Sequence, residues 1–395
     1  MQNCAVRLDT LRVDQNGSLV APPALRRMFV RHADGEISDA ELAAAQDEAI
    51  RDVIAKQEAV GLPVVTDGEL RRRSFQESFS LAVAGFDVPE NAARLTGWRE
   101  GNRPLQRAEQ NFDAAGPALL TRRPVVSRLA LRRNVIREEY VFSARHATRP
   151  VKVSLIGPDR IMQRFAWERS TAIYRDMDEF AADVVAIERR MIAELVEAGC
   201  RYVHMDAPGF TAYVDPVSLE RMRARGEDPK QNLERAIAAE NAVIAGFPGV
   251  TFGLHICRGN TRGVDPQTGK ILPQWHREGT YDAIAEQLFS SLDHDRLLLE
   301  YDSERAGDFA PLRFVRKGKV AVLGLVSTKV EDIETAEDTA KRIEAAARHL
   351  PLEQLALSPQ CGFCSGILTP QLSEDRQWRK FETIVKTAER VWGTA

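Results

Sequence analysis

Short apolar runs alternate with amphipathic stretches along most of the chain. Seven clear runs end in polar residues, and they lie at 63–67, 151–156, 202–206, 250–257, 297–300, 320–325 and 355–358. A weaker run at 6–13 precedes them. Strands that are buried on both faces of a parallel sheet have such continuous apolar runs. The pattern therefore predicts eight strands.

Helical periodicity fills the intervals between these runs. We predict helices at 47–60, 176–198 and 331–349. The first ends before Gly61-Leu62-Pro63 and the second ends at Gly199, which are both helix stop signals. Strands that alternate with helices indicate a parallel sheet. Eight such units favour a closed (β/α)8 TIM barrel over an open doubly wound sheet, with residues 1–395 in a single domain.

Two segments interrupt this alternation. Residues 80–150 lie between the second and third predicted strands and are too numerous for a loop. Partial alternation over 125–144 predicts an antiparallel hairpin that projects from the barrel within this insertion. Residues 258–281 are rich in glycine, proline and charge, which predicts an extended surface loop.

Composition narrows the class of protein. Hydrophobic residues make up 44% and charged residues 28% of the 395 residues, which excludes a disordered chain. The formal net charge of −3 argues against nucleic-acid binding. No apolar run reaches the roughly 18 residues of a membrane span, and the N-terminus lacks a signal-peptide core. Five cysteines, an odd number, argue against a disulfide framework, so we expect a cytoplasmic protein.

Four potential metal ligands follow the predicted strands. Active sites of such barrels lie at the C-terminal ends of the strands. His255 and Cys257 are two residues apart on one strand and point to the same side. Glu300 ends the next strand of the barrel, and Cys361 follows the last one. One histidine, two cysteines and one glutamate suit zinc, either as four ligands or as three with an open position.

This interpretation has structural alternatives. The His-x-Cys spacing alone fits equally well a buried Cys257 beside a hydrogen-bonded His255. The placement of all four residues at strand ends favours the metal. Cys364 forms a Cys-x-x-Cys pair with Cys361, but its position after the last strand favours Cys361 as the ligand and Cys364 as a bystander. The basic run 71–73 is a solvated face or, beside the polar residues at 67–69, a site for an anionic substrate.

The motifs together resemble those of the C-terminal catalytic barrel of cobalamin-independent methionine synthase. The matching segments are Asn16-Gly17-Ser18, 61–69, 155–158, Met205-Asp206-Ala207-Pro208, His255-x-Cys257, Glu300 and Pro359-Gln360-Cys361-Gly362. The resemblance implies that His255, Cys257, Glu300 and Cys361 bind zinc. It also implies that Ser18 contacts the carboxylate of homocysteine and that Glu69 and Asp206 hold its ammonium group.

The sequence departs from that family at two positions. Val326 occupies the position of a proton-donating histidine, and Ala207 replaces a second carboxylate. Methyl transfer from methyltetrahydrofolate needs a proton for the departing folate nitrogen. Because the histidine that would supply this proton is missing, the identity of the methyl donor stays open. Shorter, single-barrel members of the same superfamily resemble enzymes that take a methyl group from a corrinoid protein.

We therefore expect a zinc-dependent thiol alkyltransferase that transfers a methyl group to homocysteine or a similar thiol through a zinc-bound thiolate. One alternative is a zinc thiolate enzyme that acts on another electrophile, as epoxyalkane:coenzyme M transferase does. Another is a non-catalytic binding protein with a structural zinc, which a closed four-ligand site would favour. The expected partners are a small-molecule thiol and an alkyl donor, with a corrinoid carrier protein and a homodimer as further candidates.

Overall fold

A computed structural model describes residues 8–87, 124–260, 262–264, 271–275, 277–364, 366–368 and 370–395. At residue 9 and within 262–275 only the backbone is described. The strands in these segments are β1 Val83–Phe86, β2 Val125–Leu131, β3 Lys152–Ile156, β4 Tyr202–Asp206, β5 Thr251–Ile256, β6 Arg262–Val264, β7 Ile271–Trp275, β8 Arg296–Glu300, β9 Val320–Val326 and β10 Leu355–Pro359.

Six of these strands form one parallel sheet in the order β10-β9-β8-β5-β4-β3. Every residue of β3, β4, β8, β9 and β10 is buried, as expected for strands that are covered on both faces. These strands coincide with six of the apolar runs, to within a residue or two at their ends.

The other two predicted strands are present as single bridges at the edges of the sheet. Val13 pairs in parallel with Leu357 of β10, and Val65 pairs in parallel with Val151 beside β3. The two edge segments then meet. Gln15 Nε2 donates to the carbonyl of Val64 at 2.9 Å, the amide of Leu19 donates to Gly68 O at 3.0 Å, and Thr66 Oγ1 donates to Gly17 O at 2.8 Å.

The predicted TIM-barrel architecture is confirmed, with its eight elements in the expected order. Between the first and second elements, side-chain hydrogen bonds and a single backbone bond replace a regular ladder within the described residues.

The helices are α1 Pro23–Ala33, α2 Asp39–Ala59, α3 Glu77–Ser80, α4 Val135–His146, α5 Pro158–Gln163, α6 Met177–Glu197, α7 Pro216–Ala224, α8 Pro229–Ile244, α9 Ala285–Ser291, α10 Ala336–Ala346 and α11 Glu374–Trp392. Short 3-10 helices lie at Leu8–Thr10, Trp167–Arg169, Pro208–Tyr213, Tyr281–Ala283, Glu304–Ala306, Ala310–Phe314 and Leu352–Gln354. Among the helices in the described segments, none has the length and apolarity needed to span a membrane.

Side-chain caps explain where the predicted helix bounds differ from the structure. Helix α2 begins eight residues before the prediction because Ser38 and Glu41 form a reciprocal capping box. Helix α10 begins at Ala336, five residues after the predicted start, because Thr335 accepts the amide of Asp338. Helix α6 agrees with the prediction, and Asp176 is its N-cap.

The two segments that interrupt the alternation of strands and helices, 80–150 and 258–281, each contain an antiparallel pair of strands. Strand β2 pairs with β1, so the hairpin predicted within 125–144 is wrong. Residues 135–146 are helix α4, which Asn134 caps by accepting the amide of Arg137. Within 258–281, β6 pairs with β7, and Arg258 and Tyr281 at the two ends are fully buried. The predicted extended surface loop is therefore a hairpin with buried ends.

A buried ion network joins the first barrel element to three strands. Asp14 accepts hydrogen bonds from Lys152 Nζ of β3 at 2.7 Å, Tyr202 OH of β4 at 2.5 Å and Arg296 Nε of β8 at 2.8 Å. Burial raises the pKa of Asp14, but the two cations outweigh it and hold the pKa below its usual range. A cavity of about 620 Å³ lies at this N-terminal end of the barrel.

Removal of the charge on Asp14 tests this network. Asp14→Asn leaves Lys152 and Arg296 buried without a carboxylate, so we expect a loss of about 3–5 kcal/mol in the free energy of unfolding in urea. Asp375→Asn, which breaks an exposed pair with Arg379, should cost about 1 kcal/mol or less. Equal stability of the two variants would show that the network does not hold the barrel together.

Candidate metal centre and substrate site

Three of the four predicted ligands converge at the C-terminal end of the barrel. His255 lies in β5, Cys257 follows that strand, and Cys361 follows β10, and all three are buried. One nitrogen of His255 and the two sulfurs all lie within 4.8 Å of one another. The two sulfurs are 3.8 Å apart. This spacing allows one metal ion to contact all three side chains.

The imidazole of His255 is oriented for a metal. Its Nδ1 lies 3.3 Å from the carbonyl oxygen of Leu298, which can only accept, so Nδ1 carries the proton. Nε2 is buried and has no hydrogen-bond partner among the described residues. A buried lone pair without a partner is unfavourable in an apolar core and is what a metal ion would use.

The two thiols form an unequal pair. The hydrogen bond from Cys361 lowers the pKa of Cys257, and His255 lowers it further. The same hydrogen bond raises the pKa of Cys361. The pair therefore releases its first proton readily and holds the second. Since the thiolate is the form that binds metal, a bound cation would displace that second proton.

Glu300, the fourth predicted ligand, lies outside this cluster. Its Oε2 accepts the backbone N–H of Arg258 at 2.5 Å, and its Oε1 is 3.0 Å from Lys329 Nζ. Burial raises the pKa of Glu300, but the cations of Lys329, Arg305 and Arg258 outweigh it and lower the pKa to about 2. Glu300 is therefore an ionised carboxylate held by other groups.

Glu69 is held in a strained backbone conformation beside the first barrel element. Its φ of 57° lies in the left-handed region, and Asp67 Oδ1 accepts its amide at 2.9 Å. Ser154 Oγ donates to Glu69 Oε1 at 2.5 Å, while the buried Oε2 has no partner among the residues described. A side chain at position 17 is disfavoured, because Gly17 has a φ of 103° and a Cβ there would lie 2.7 Å from Glu69 Oε1.

Asp206 is the last residue of β4, and its Oδ1 lies 3.1 Å from His204 Nε2. Burial raises the pKa of Asp206 to about 7. Burial likewise raises the pKa of Glu69 to about 7, and the charge of Asp206 adds to that shift although Arg72 opposes it. Both carboxyls are therefore only partly ionised at neutral pH.

Ser18 lies against the loop that carries Cys361. Its carbonyl accepts the amide of Phe363 at 2.8 Å, and a Cβ at position 362 would lie only 1.9 Å from Ser18 Oγ. A side chain at position 362 would therefore force the hydroxyl of Ser18 to move. This contact joins the predicted substrate-binding serine to the predicted metal ligand.

The structure bears on two further alternatives from the sequence, an anion site at residues 71–73 and Cys364 as a metal ligand. Arg71, Arg72 and Arg73 pair with the carboxylates of Asp47, Glu139 and Glu77 at 2.5, 2.6 and 2.7 Å, which argues against an anion site there. Cys364 Sγ donates to Gly366 O at 3.0 Å and is not a member of the three-residue cluster.

Two groups that act on the site are not predicted in these roles from the sequence. Arg72 lies 3.8 Å from Glu69, and its partner Glu139 comes from α4, a helix that the pattern placed in a hairpin. Lys329 contacts Glu300, and its position just after β9 is the one signal that could have indicated it.

Residues 16–265 match the family model described as the catalytic domain of cobalamin-independent synthase. The chain belongs to this family. Protein YxjH of Bacillus subtilis is 31% identical, and the alignment covers 96% of this chain and 94% of that protein. A methionine synthase of Sulfurisphaera tokodaii is 24% identical, with 88% and 84% covered.

A crystal structure supports the same fold. It is described as a vitamin-B12-independent methionine synthase of Listeria monocytogenes, and it superposes with a TM-score of 0.70 at 23% identity. The superposition covers 99% of this chain and 100% of the other. The single-barrel form of the catalytic domain is thus shared with a solved protein.

Metal content tests the cluster directly. We expect the wild-type protein to retain about one metal ion per chain on purification. Cys257→Ala and Cys361→Ala should lose it, because each removes one of the three side chains that converge. Cys364→Ala is the matched control in the same loop and should keep about one ion per chain. Loss of metal from Cys364→Ala, with retention in Cys361→Ala, would show that Cys364 is the ligand and that Cys361 is not.

Proposed function

We propose that the protein is a zinc-dependent methyltransferase whose acceptor is the sulfur of homocysteine or a similar amino-acid thiol. The observation that carries the proposal is the buried His255/Cys257/Cys361 cluster at the barrel end that also holds Glu69 and Asp206. Membership of a methionine synthase catalytic-domain family supports an enzyme of this class.

The donor set fits zinc. One imidazole nitrogen and two thiolate sulfurs are ligands that Zn²⁺ accepts readily, and three protein ligands leave a position for substrate. His255, Cys257 and Cys361 would hold the ion, which when bound lowers the pKa of a substrate thiol so that a thiolate is available near neutral pH.

The carboxylates supply recognition of the amino acid. Glu69 Oε2 is buried without a partner among the residues that the structure describes, which leaves an acceptor for an ammonium group. Asp206 supplies the second carboxylate, and His204 Nε2 contacts its Oδ1 at 3.1 Å. Ser18, against the loop of Cys361, would contact the substrate carboxylate. Fixed contacts of this kind hold the sulfur in line with an electrophilic methyl carbon.

The side chain at position 326 restricts the class of methyl donor, because it is not a proton donor. Val326 is a fully buried aliphatic side chain at the end of β9 and cannot protonate a leaving group. A donor whose leaving group needs no proton is therefore favoured. A corrinoid meets this requirement because its cobalt leaves with the electron pair of the broken bond, and a corrinoid carrier protein or a free methylcorrinoid would present it.

The alternatives fit the charges less well. A sulfonate thiol such as coenzyme M needs a cation beside the metal, but Glu69 and Asp206 present carboxylates, and the basic run 71–73 is neutralised. A structural zinc needs four protein ligands, and the cluster contains three within the described part of the chain.

Thiol selectivity tests this proposal. We expect homocysteine to change the absorption of the cobalt-substituted protein, and Glu69→Gln to weaken homocysteine binding by about 10- to 100-fold through loss of a charged hydrogen bond. The binding of 4-mercaptobutyrate, which lacks the amino group, should change little. Equal weakening of both thiols would contradict an ammonium-binding role for Glu69.

The pH dependence follows from the raised pKa values. Glu69 and Asp206 ionise near pH 7, so the affinity for homocysteine should rise between pH 6 and pH 8 more steeply than that for 4-mercaptobutyrate. Thiol deprotonation favours binding of both compounds at higher pH, so the difference between their two curves isolates the carboxylates. Parallel curves would show that these groups do not hold the ammonium.

A further inference from the structure

The guanidinium of Arg72 lies between two buried carboxylates at the substrate site. It forms a bidentate pair with Glu139, in which Nε donates to Oε1 at 3.2 Å and Nη2 donates to Oε2 at 2.6 Å. Its Nη1 is 3.8 Å from Glu69 Oε1. None of the three side chains is more than 6% exposed. Arg72 therefore bonds directly to Glu139 and only approaches Glu69.

Ser154 separates Arg72 from Glu69. Its Oγ accepts Arg72 Nη1 at 3.3 Å and donates to Glu69 Oε1 at 2.5 Å. The backbone carbonyl of the same serine accepts Arg72 Nη2 at 3.0 Å. These contacts engage the guanidinium and Glu69 Oε1, whereas the buried Glu69 Oε2 has no partner in the part of the chain that the structure describes. One carboxylate oxygen is thus left for a cationic group of a ligand.

Glu139 occupies a core position of helix α4. Ile136, Tyr140 and Ser143 share its buried face, at the three- and four-residue spacing of a helix side that packs inward. Helix α4 packs against β3, the strand that carries Ser154. A carboxylate in such a place is costly unless it is paired, and Arg72 is the partner that it has among the described residues. The segment inserted at 80–150 thereby delivers a charge to the edge of the substrate site.

We propose that Glu139 is a positioning residue that sets the preference for an amino-acid thiol. It holds Arg72 in the bidentate pair, so that Arg72 does not pair with Glu69 and the free oxygen of Glu69 stays available to the ammonium group of the substrate. This inference rests on the proposed function, in which Glu69 binds that ammonium group.

Two cations compete for Glu69, the guanidinium of Arg72 and the ammonium of the substrate. A bidentate guanidinium occupies both oxygens of a carboxylate, and in this protein that carboxylate belongs to Glu139. Burial raises the pKa of Glu69, and the charge of Arg72 opposes this rise from 3.8 Å away. Arg72 therefore favours the ionised form of Glu69 without occupying its free oxygen.

The test compares the binding of homocysteine and 4-mercaptobutyrate to variants of Glu139 by calorimetry. Glu139→Gln keeps the shape of the side chain but not its charge, so Arg72 turns to Glu69, the second carboxylate that it reaches among the described residues. We expect homocysteine to bind about tenfold more weakly and 4-mercaptobutyrate to bind as it does to the wild type. Glu139→Asp keeps a carboxylate for Arg72 and should retain most of the preference. Glu138→Gln is the matched control on the exposed side of the same helix and should behave as the wild type.

The effect must depend on Glu69. In a Glu69→Gln background Arg72 has no charge to neutralise at that position, so we expect Glu139→Gln to weaken homocysteine binding no further. Equal weakening in both backgrounds would overturn the positioning role. Equal weakening of the two thiols would also overturn it, because a pair that only supports the fold would affect both. Unchanged homocysteine binding in Glu139→Gln would have the same consequence.

A crystal structure of the wild-type protein with homocysteine tests the proposal without relying on the folding of a variant. The ammonium nitrogen should lie within hydrogen-bond distance of Glu69 Oε2 while Arg72 remains paired with Glu139. A complex in which Arg72 is paired with Glu69 would overturn the proposal.

Failure of the proposed function would look different. A wild-type protein that binds homocysteine no better than 4-mercaptobutyrate, or whose metal does not respond to homocysteine, overturns the proposed function and the positioning role together. A wild type that prefers homocysteine and loses that preference in Glu69→Gln, with Glu139→Gln equal to the wild type, overturns the role of Glu139 alone.

Discussion

The register of the parallel sheet is the constraint on which the site depends. Asp206 is paired with His255 across β4 and β5, and His255 is paired with Leu298 across β5 and β8. That register places the Leu298 carbonyl where it fixes the tautomer of His255, and it brings the carboxylate of Asp206 beside the imidazole of His255. A slip by one residue would turn these side chains to the other face of the sheet.

Burial of charge is managed differently at the two ends of the barrel. At the N-terminal end, Asp14 is fully paired with Lys152, Tyr202 and Arg296, so the network serves stability. At the C-terminal end, Glu69 Oε2 and His255 Nε2 have no partners in the described part of the chain. Unpaired buried groups cost stability, and they are expected where a ligand completes the pairing.

The sequence predicted the parts of the molecule that follow from burial and spacing. The six regular strands, the barrel class and the convergence of His255, Cys257 and Cys361 follow from apolar runs that end in polar residues. The pairing of β1 with β2 could not be placed, because the two strands are distant in sequence and the alternation over 125–144 is weak. The pairing of Glu300 with Lys329 also escaped, since no local pattern shows which charge a buried carboxylate meets across two strands.

X-ray absorption at the zinc edge is the decisive measurement, because it counts the sulfur atoms around the ion. We expect one zinc per chain with two sulfurs at about 2.3 Å, from Cys257 and Cys361. A third sulfur should appear when homocysteine is added. A count that stays at two in the presence of saturating homocysteine, or a protein that binds no zinc, would rule out a zinc centre that binds the substrate thiol.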